Sequence, residues 1–219
     1  MEKQVKIKIC GLRTPADVAA VNAVLPEYAG FIFVPMRRRY IAPAQAAILC
    51  QQLDPRIRPV GVFVDARIEE ILEALEHCPL DMVQLHGAED DDYIARLRAA
   101  YRTRFAVERP DAAVDSELCI VKAFRVEDAD DIRRAEASAA DEILLDHGAG
   151  GTGERFDWTL LQHHRRRFFL AGGLGPDNVE DAIRVTQPYA VDVSSSLESD
   201  GRKDPEKIRR FIAAVRRSL

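Results

Sequence analysis

Short runs of apolar residues alternate with longer amphipathic segments along the chain. The apolar runs are rich in β-branched and aromatic residues, which is typical of buried strands. They predict eight strands, at 5–10, 28–34, 58–64, 82–86, 119–124, 142–146, 168–173 and 190–194. The amphipathic segments predict helices that begin near 15, 43, 176 and 205 or that cover 68–77, 89–100, 129–138 and 156–164.

Two helix starts have a clear chemical signal. Thr14 before Pro15 and Asp204 before Pro205 combine an N-cap side chain with a proline whose φ already suits the first helical turn. Residues 101–117 are less regular, and 104–107 is the candidate for a short extra strand. No functional interpretation is attached to that stretch.

The alternation of strands and helices determines the fold class. Repeated strand–helix units require a parallel sheet, and eight of them close a (β/α)8 barrel. The competing architecture is a doubly wound open sheet, which usually has fewer strands and often a glycine-rich G-x-G-x-x-G turn after the first one. Here 10–13 reads CGLR. We therefore predict the α/β class, with a single (β/α)8 TIM barrel domain over residues 1–219.

Charge and hydropathy exclude several functional classes. With 31 basic and 36 acidic residues the net charge is −5, which disfavours nucleic acid or an anionic membrane as partner. No stretch approaches the ~20 apolar residues of a membrane span, and no secretory signal is visible, so a cytoplasmic location is expected. The four cysteines and five histidines show no zinc-ligand spacing, so neither a metal nor a disulfide framework is predicted.

The active site of such a barrel lies at the carboxyl ends of its strands. The polar, charged and glycine residues at those ends are therefore the candidates. They are Cys10, Arg37, Arg38, Arg39, Gln84, His86, Asp146, Gly172, Gly173, Asp192, Ser194 and Ser195.

Two neighbouring loops predict a phosphate site. Gly172 and Gly173 let the backbone approach an anion closely, while Ser194 and Ser195 offer hydroxyl and N–H groups before a short helix. Barrel enzymes commonly hold phosphate between the loops after strands seven and eight. The alternative is that the glycines form only a tight turn. A further glycine-rich loop, 148–153, lacks the lysine of a nucleotide P-loop and is either a plain loop or one that covers substrate.

Cys10 and Asp146 are candidates for proton transfer. A thiol needs nearby positive charge to act as a base at neutral pH, and a free cysteine more often packs as a small apolar residue. Asp146 could instead cap the following loop. His86 is equally suited to be a hydrogen-bonded residue at a strand end.

Six segments, in order along the chain, resemble the phosphoribosylanthranilate isomerase family. They are 8–12 (KICGL), 83–87 (VQLHG), 144–146 (LLD), 150–158 (GGTGERFDW), 171–174 (AGGL) and 192–195 (DVSS). The resemblance covers the chain from the first strand to the last helix. It implies a (β/α)8 barrel of tryptophan biosynthesis that converts N-(5'-phosphoribosyl)anthranilate into 1-(2-carboxyphenylamino)-1-deoxyribulose 5-phosphate by an Amadori rearrangement.

The resemblance also implies roles for residues. Asp146 would be the general acid on the ribose ring oxygen, and Cys10 the general base at C2'. Arg39 would meet the anthranilate carboxylate. Asp192 would help hold the substrate, and Gly172, Gly173, Ser194 and Ser195 would hold its phosphate. Gln84 and His86, at the end of the fourth strand, are further candidates for contacts with the substrate. No metal or organic cofactor is expected, the partner is a phosphosugar, and the assembly is a monomer or a homodimer.

The chain departs from the family pattern in two places. It has Arg37-Arg38-Arg39-Tyr40 where the family usually has Ser-Pro-Arg-Tyr, and Ser196 where the family usually has glycine. The alternatives are another phosphosugar barrel enzyme that uses Lys8 or Lys122, and a phosphate-ligand binding protein without activity. The latter would need neither Cys10 nor Asp146.

Overall fold

The fold is a closed barrel of eight parallel strands in sequential order. The computed structural model describes residues 4–105, 118–146, 158–161 and 164–218. The strands are β1 (Lys6–Cys10), β2 (Tyr28–Ile32), β3 (Arg58–Phe63), β4 (Met82–Leu85), β5 (Cys119–Arg125), β6 (Glu142–Asp146), β7 (Phe168–Ala171) and β8 (Ala190–Val193). The predicted α/β barrel is confirmed.

Helices cover the outside of the barrel. They are α1 (Pro15–Asn22), α2 (Pro43–Cys50), α3 (Ile68–His77), α4 (Asp91–Phe105), α5 (Ala129–Ala137), α6 (Val179–Thr186) and α7 (Pro205–Arg217). The expected caps are present: Thr14 and Asp17 form a reciprocal capping box on α1, and Asp204 accepts from two backbone N–H groups of α7. Short 3₁₀ helices lie at Trp158–Leu161 and Ser195–Leu197.

Closure of the barrel fixes which side chains of β1 face its interior. β1 pairs with β8 in a register that places Lys8 opposite Asp192, and with β2 in one that places Cys10 opposite Gly30. Because side chains alternate along a strand, Lys8 and Cys10 point inward while Ile7 and Ile9 pack under the helices. The register of β1 therefore places its polar side chains inside the barrel.

One predicted element is wrong and one is shorter than expected. Arg104 and Phe105 belong to α4, not to a strand. The Phe105 ring packs against Tyr101 one helical turn earlier, with ring centroids 4.8 Å apart. Arg104 forms an ion pair with Glu76 of α3. Both contacts stabilise the helical conformation at the end of α4. Residues 106 and 107 lie outside the described part of the chain. Of the helix predicted at 156–164, the described residues show the 3₁₀ turn at Trp158–Leu161.

A small hairpin after β8 was not predicted. β9 (Glu198–Ser199) and β10 (Arg202–Lys203) pair antiparallel through Asp200 and Gly201, which have φ of 50° and 76°. An Asp-Gly pair suits a two-residue turn with positive φ at both positions. The hairpin brings Glu198 and Lys203 together at the carboxyl end of the barrel.

Candidate active site

A cavity of about 370 Å³ lies at the carboxyl ends of the strands. All of the proposed site residues line it, and they come from six strands and the loops that follow them. They are Cys10, Arg39, Gln84, His86, Asp146, Gly172, Gly173, Asp192, Ser194 and Ser195. The loop at 148–153 lies outside the described residues.

A larger cavity, of about 800 Å³, lies at the opposite end of the barrel beside the first residues of β7 and β8. Of its four arginines, Arg167, Arg184 and Arg217 are each paired with an acidic side chain, and Arg166 donates to backbone carbonyls. The proposed site residues are all at the other end, where barrel chemistry is found. We therefore place the candidate active site in the smaller cavity.

Cys10 ends β1 and is held by its neighbours on both sides. Gly30 of β2 lies opposite it, and a Cβ at position 30 would come 2.7 Å from the sulfur. On the other side, the Ser194 hydroxyl donates to the Cys10 carbonyl at 2.9 Å. The thiol is thus fixed in a slot that needs glycine as its neighbour.

Charged groups of both signs surround the thiol. Burial raises the pKa of Cys10 above its ordinary value and the Asp192 carboxylate raises it further, while the ammonium groups of Lys8 and Lys203 reduce this rise without cancelling it. Burial is the largest single influence on Lys8 and disfavours its charge. The Asp192 carboxylate, with both oxygens 3.0 Å from Nζ, and Cys10 together outweigh burial and raise the Lys8 pKa. Lys8 therefore stays an ammonium ion beside Cys10, which is what a thiol base requires.

Gln84, His86 and Asp146 lie in a row across the mouth of the barrel. The Gln84 amide donates to His86 Nδ1 at 2.8 Å, which puts the ring proton on Nε2, and Nε2 lies 3.3 Å from Asp146 Oδ2. Gln84 Oε1 is buried and has no hydrogen-bond partner among the described residues.

The two loops expected to hold phosphate lie side by side. Gly172 and Gly173 have φ of 92° and 62°, so both need glycine's conformational freedom. Ser196 does not have a positive φ, so a serine fits there without strain. Its hydroxyl donates to the Leu174 carbonyl at 2.5 Å and joins the loop after β8 to the loop after β7.

Only Arg39 of the three consecutive arginines lines the cavity. Its Nε and Nη2 lie 2.6 and 3.2 Å from the two carboxylate oxygens of Glu198. Arg38 meets the same carboxylate from outside with a side chain that is 55% exposed. Burial alone would raise the pKa of Glu198, but the hydrogen bond from Arg39 and the charge of Lys203 lower it to about 2.

The two lysines of the alternative hypothesis are both engaged. Lys8 is paired with Asp192, and Lys122 donates to the carbonyls of Gly87 and Ala123 and lies 3.4 Å from Glu89. Neither lysine lines the cavity. These contacts assign both lysines a structural role, in which Lys8 holds Asp192 and Lys122 holds two backbone carbonyls.

Sequence reasoning missed two residues of this region, Glu198 and Lys203. It considered Lys8 only as the catalytic lysine of an alternative enzyme, although the inward position of Lys8 two residues before Cys10 indicated a place beside the thiol. The Asp200-Gly201 turn was the signal for the hairpin that carries Glu198 and Lys203.

Within the described ranges, no helix combines the length and apolar character needed to cross a membrane. The same residues contain no group of three or more histidine, cysteine, aspartate or glutamate side chains placed to hold a metal ion.

The fold and the position of the cavity define a barrel protein of the (β/α)8 class with its polar site at the carboxyl ends of the strands. Residues 7–214 match the family model described as N-(5'phosphoribosyl)anthranilate (PRA) isomerase. The chain belongs to this family.

Individual relatives match nearly the whole length of this chain. The chain is 40% identical to N-(5'-phosphoribosyl)anthranilate isomerase of Endomicrobium trichonymphae, over 96% of this chain and 98% of the relative. The crystal structure of phosphoribosyl anthranilate isomerase from Thermotoga maritima is 34% identical and superposes with a TM-score of 0.83, over 99% of this chain and 100% of that one. A crystal structure of such an isomerase in complex with reduced 1-(o-carboxyphenylamino)-1-deoxyribulose 5-phosphate, also 34% identical over 99% and 100% of the two chains, has a TM-score of 0.80.

Proposed function

We propose that this protein catalyses the Amadori rearrangement of N-(5'-phosphoribosyl)anthranilate to 1-(2-carboxyphenylamino)-1-deoxyribulose 5-phosphate, a step of tryptophan biosynthesis. Family membership over residues 7–214 supports the reaction. The observation that carries the assignment of roles is that Cys10 of β1 and Asp146 of β6 line one cavity. An acid and a base on opposite walls can act on different atoms of one sugar.

The first step in this proposal is opening of the ribose ring. Asp146 gives its proton to the ring oxygen, the C1'–O bond breaks, and the lone pair of the anthranilate nitrogen forms a protonated imine. His86, with its Nε2 3.3 Å from the Asp146 carboxylate, holds the acid in place. A positioned general acid typically contributes ~10²–10⁴-fold.

The second step is proton removal from C2'. The imine withdraws electrons and makes this proton acidic, so the Cys10 thiolate is a sufficient base. The enolamine that forms then gains a proton at C1' from the Cys10 thiol and loses the proton of its 2'-hydroxyl to the Asp146 carboxylate, which gives the ketone. Both residues return to their starting forms, so the atoms of substrate and product balance. Lys8 and Lys203 stabilise the thiolate. No metal or organic cofactor enters any step.

Binding would use both ends of the substrate. Arg39 meets the anthranilate carboxylate, since a guanidinium matches a planar carboxylate. Gly172, Gly173, Ser194 and Ser195 meet the phosphate. Gln84 and Asp192, which line the cavity, meet the sugar between the two ends.

The test is turnover of freshly generated phosphoribosylanthranilate by the parent, Cys10→Ser and Asp146→Asn. Each variant should lose at least ~10²-fold in kcat. Cys119→Ser, a thiol at the other end of the barrel, and Asp177→Asn, an exposed carboxylate, are the matched controls and should keep parental activity. A folded parent without turnover would refute the proposed reaction, and one unaffected variant would refute that residue's role.

The cytoplasmic location and the assembly state, monomer or homodimer, stay predictions. Sedimentation velocity of the purified protein decides between the two assemblies.

A further inference from the structure

We propose that Glu198 is a positioning residue that turns one edge of Arg39 toward the carboxylate of the substrate and so makes the site selective for an aryl amine that carries this group. The inference rests on the proposed function. It concerns a residue of the hairpin to which neither the motifs nor the reaction chemistry gives a role.

The contact between the two side chains leaves a defined part of Arg39 available. A guanidinium has five N–H donors, and Glu198 occupies the edge formed by Nε and Nη2. The edge formed by Nη1 and the second N–H of Nη2 has no partner in the described part of the chain. That edge has the spacing for two parallel hydrogen bonds to a carboxylate. Arg39 lines the cavity, so its remaining donors belong to the site.

Glu198 is itself rigidly held. Its side chain is only 6% exposed, and Lys203 Nζ lies 3.2 Å from Oε1. The same Nζ donates to the Ser194 carbonyl at 2.9 Å, in the loop proposed to bind phosphate. One buried carboxylate therefore connects the arginine at one end of the substrate with the loop at its other end.

The charges around Glu198 add a second argument. Its single negative charge lies among three cations, Arg38, Arg39 and Lys203. Arg39 therefore stays attractive to an anionic group while Glu198 restricts its orientation. An arginine held on one edge loses less conformational freedom when it binds a ligand, so its contribution to binding is larger.

The experiment compares two unreactive ligands that differ only in the carboxylate. One is the reduced product, 1-(2-carboxyphenylamino)-1-deoxypentitol 5-phosphate, and the other is the same compound made from aniline. Their Kd values are measured by titration calorimetry for the parent, Glu198→Gln and Arg39→Lys. Glu206→Gln, an exposed glutamate on α7, is the matched control.

We expect Glu198→Gln to weaken the carboxylate ligand ~10-fold and the aniline ligand less than ~2-fold. Arg39→Lys should show the same pattern, because lysine keeps the charge but lacks the fork. In turnover, Glu198→Gln should raise KM more than it lowers kcat. Equal weakening of both ligands, or weakening of neither, would overturn the inference.

A folding defect can be told apart from a loss of selectivity, because the two Kd values are compared within each variant. Thermal melting checks that each variant is folded. If Glu198→Gln does not fold, the same ratio of Kd values is measured for Glu198→Asp. This variant keeps the charge but shortens the side chain by one methylene. A parent that binds both ligands but has no turnover would refute the proposed function and leave this inference standing.

Discussion

Cys10 and Gly30 are neighbours across the β1–β2 pair, and the sulfur occupies the space where a side chain at position 30 would begin. The Cα of Cys10 is also within 3.0 Å of that point, so the backbone of β1 limits any shift. The position of the proposed base is therefore set from the neighbouring strand.

The first prediction concerns this pair. Gly30→Ala should lower kcat by at least ~10²-fold, because a misplaced reacting group costs that much even for a shift of ~1 Å. The control is Gly61→Ala, whose Cβ would meet Leu80 at 2.6 Å outside the barrel interior. If both variants lose the same activity, general strain explains the loss and the specific role of Gly30 is refuted.

The second prediction concerns the charge beside the thiol. Lys8→Met removes an ammonium that lowers the Cys10 pKa, so the pKa should rise and the thiolate form at higher pH. The pH at which kcat/KM rises should therefore be higher in the variant, and kcat/KM at pH 7 should be lower by ~10-fold or more.

The rate of alkylation by iodoacetamide against pH measures the same titration without turnover. Lys6→Met, on the same face of β1 but beside Tyr189 at the other end, is the control. The groups that face Cys10 are Lys8, Asp192 and Lys203. An unchanged profile for Lys8→Met would mean that Lys203 alone sets the charge at the thiol.

The third prediction follows from the low pKa of Glu198. Its pKa is about 2 in the folded chain against an ordinary value of 4.5. The ionised group stabilises the fold above pH ~4.5, and this stabilisation is lost as the pH falls toward ~2 because the unfolded chain binds the proton first.

Parent and Glu198→Gln should therefore differ in free energy of unfolding at pH 7, with the parent more stable. The difference should shrink between pH ~4.5 and ~2, as followed by urea unfolding at a series of pH values. Glu206→Gln should show no such trend. A difference that does not depend on pH would mean that the charge of Glu198 is not the source of its stabilisation.

The fourth prediction concerns the chain from Gln84 to Asp146. Gln84→Leu removes the donor to His86 Nδ1, so the ring proton is no longer held on Nε2 toward Asp146. We expect kcat to fall ~10-fold or more, since partners of a reacting group fix its orientation. His86→Gln should lower kcat by a similar factor, and the double variant should lose little more. Fully additive losses would show that the two side chains act separately.

Much of this architecture could be predicted from the sequence. The strand ends located the site because the carboxyl ends of parallel strands in a barrel meet at one face. Cys10 and Asp146 came from that rule, and the resemblance supplied their roles. Thr14 and Asp204 marked helix starts through local chemistry alone.

The parts that were not predicted depend on contacts between distant segments. Lys8 meets Asp192 only because β1 and β8 close the barrel, 184 residues apart along the chain. The proposed role of Glu198 depends on its hydrogen bonds with Arg39, which lies 159 residues earlier. Arg104 pairs with Glu76 of α3, 28 residues earlier, which a local strand pattern does not reveal. Local sequence patterns contain no information on such partners.

The bond from Ser194 to the carbonyl of Cys10 has a consequence for how the protein is made. It joins residues 184 positions apart, so the slot around the thiol is incomplete until β8 has left the ribosome. During synthesis the nascent chain presents β1 with an unpaired edge, because its partner β8 is translated last among the eight barrel strands. Isomerase activity should therefore appear only after β8 has been translated and has paired with β1.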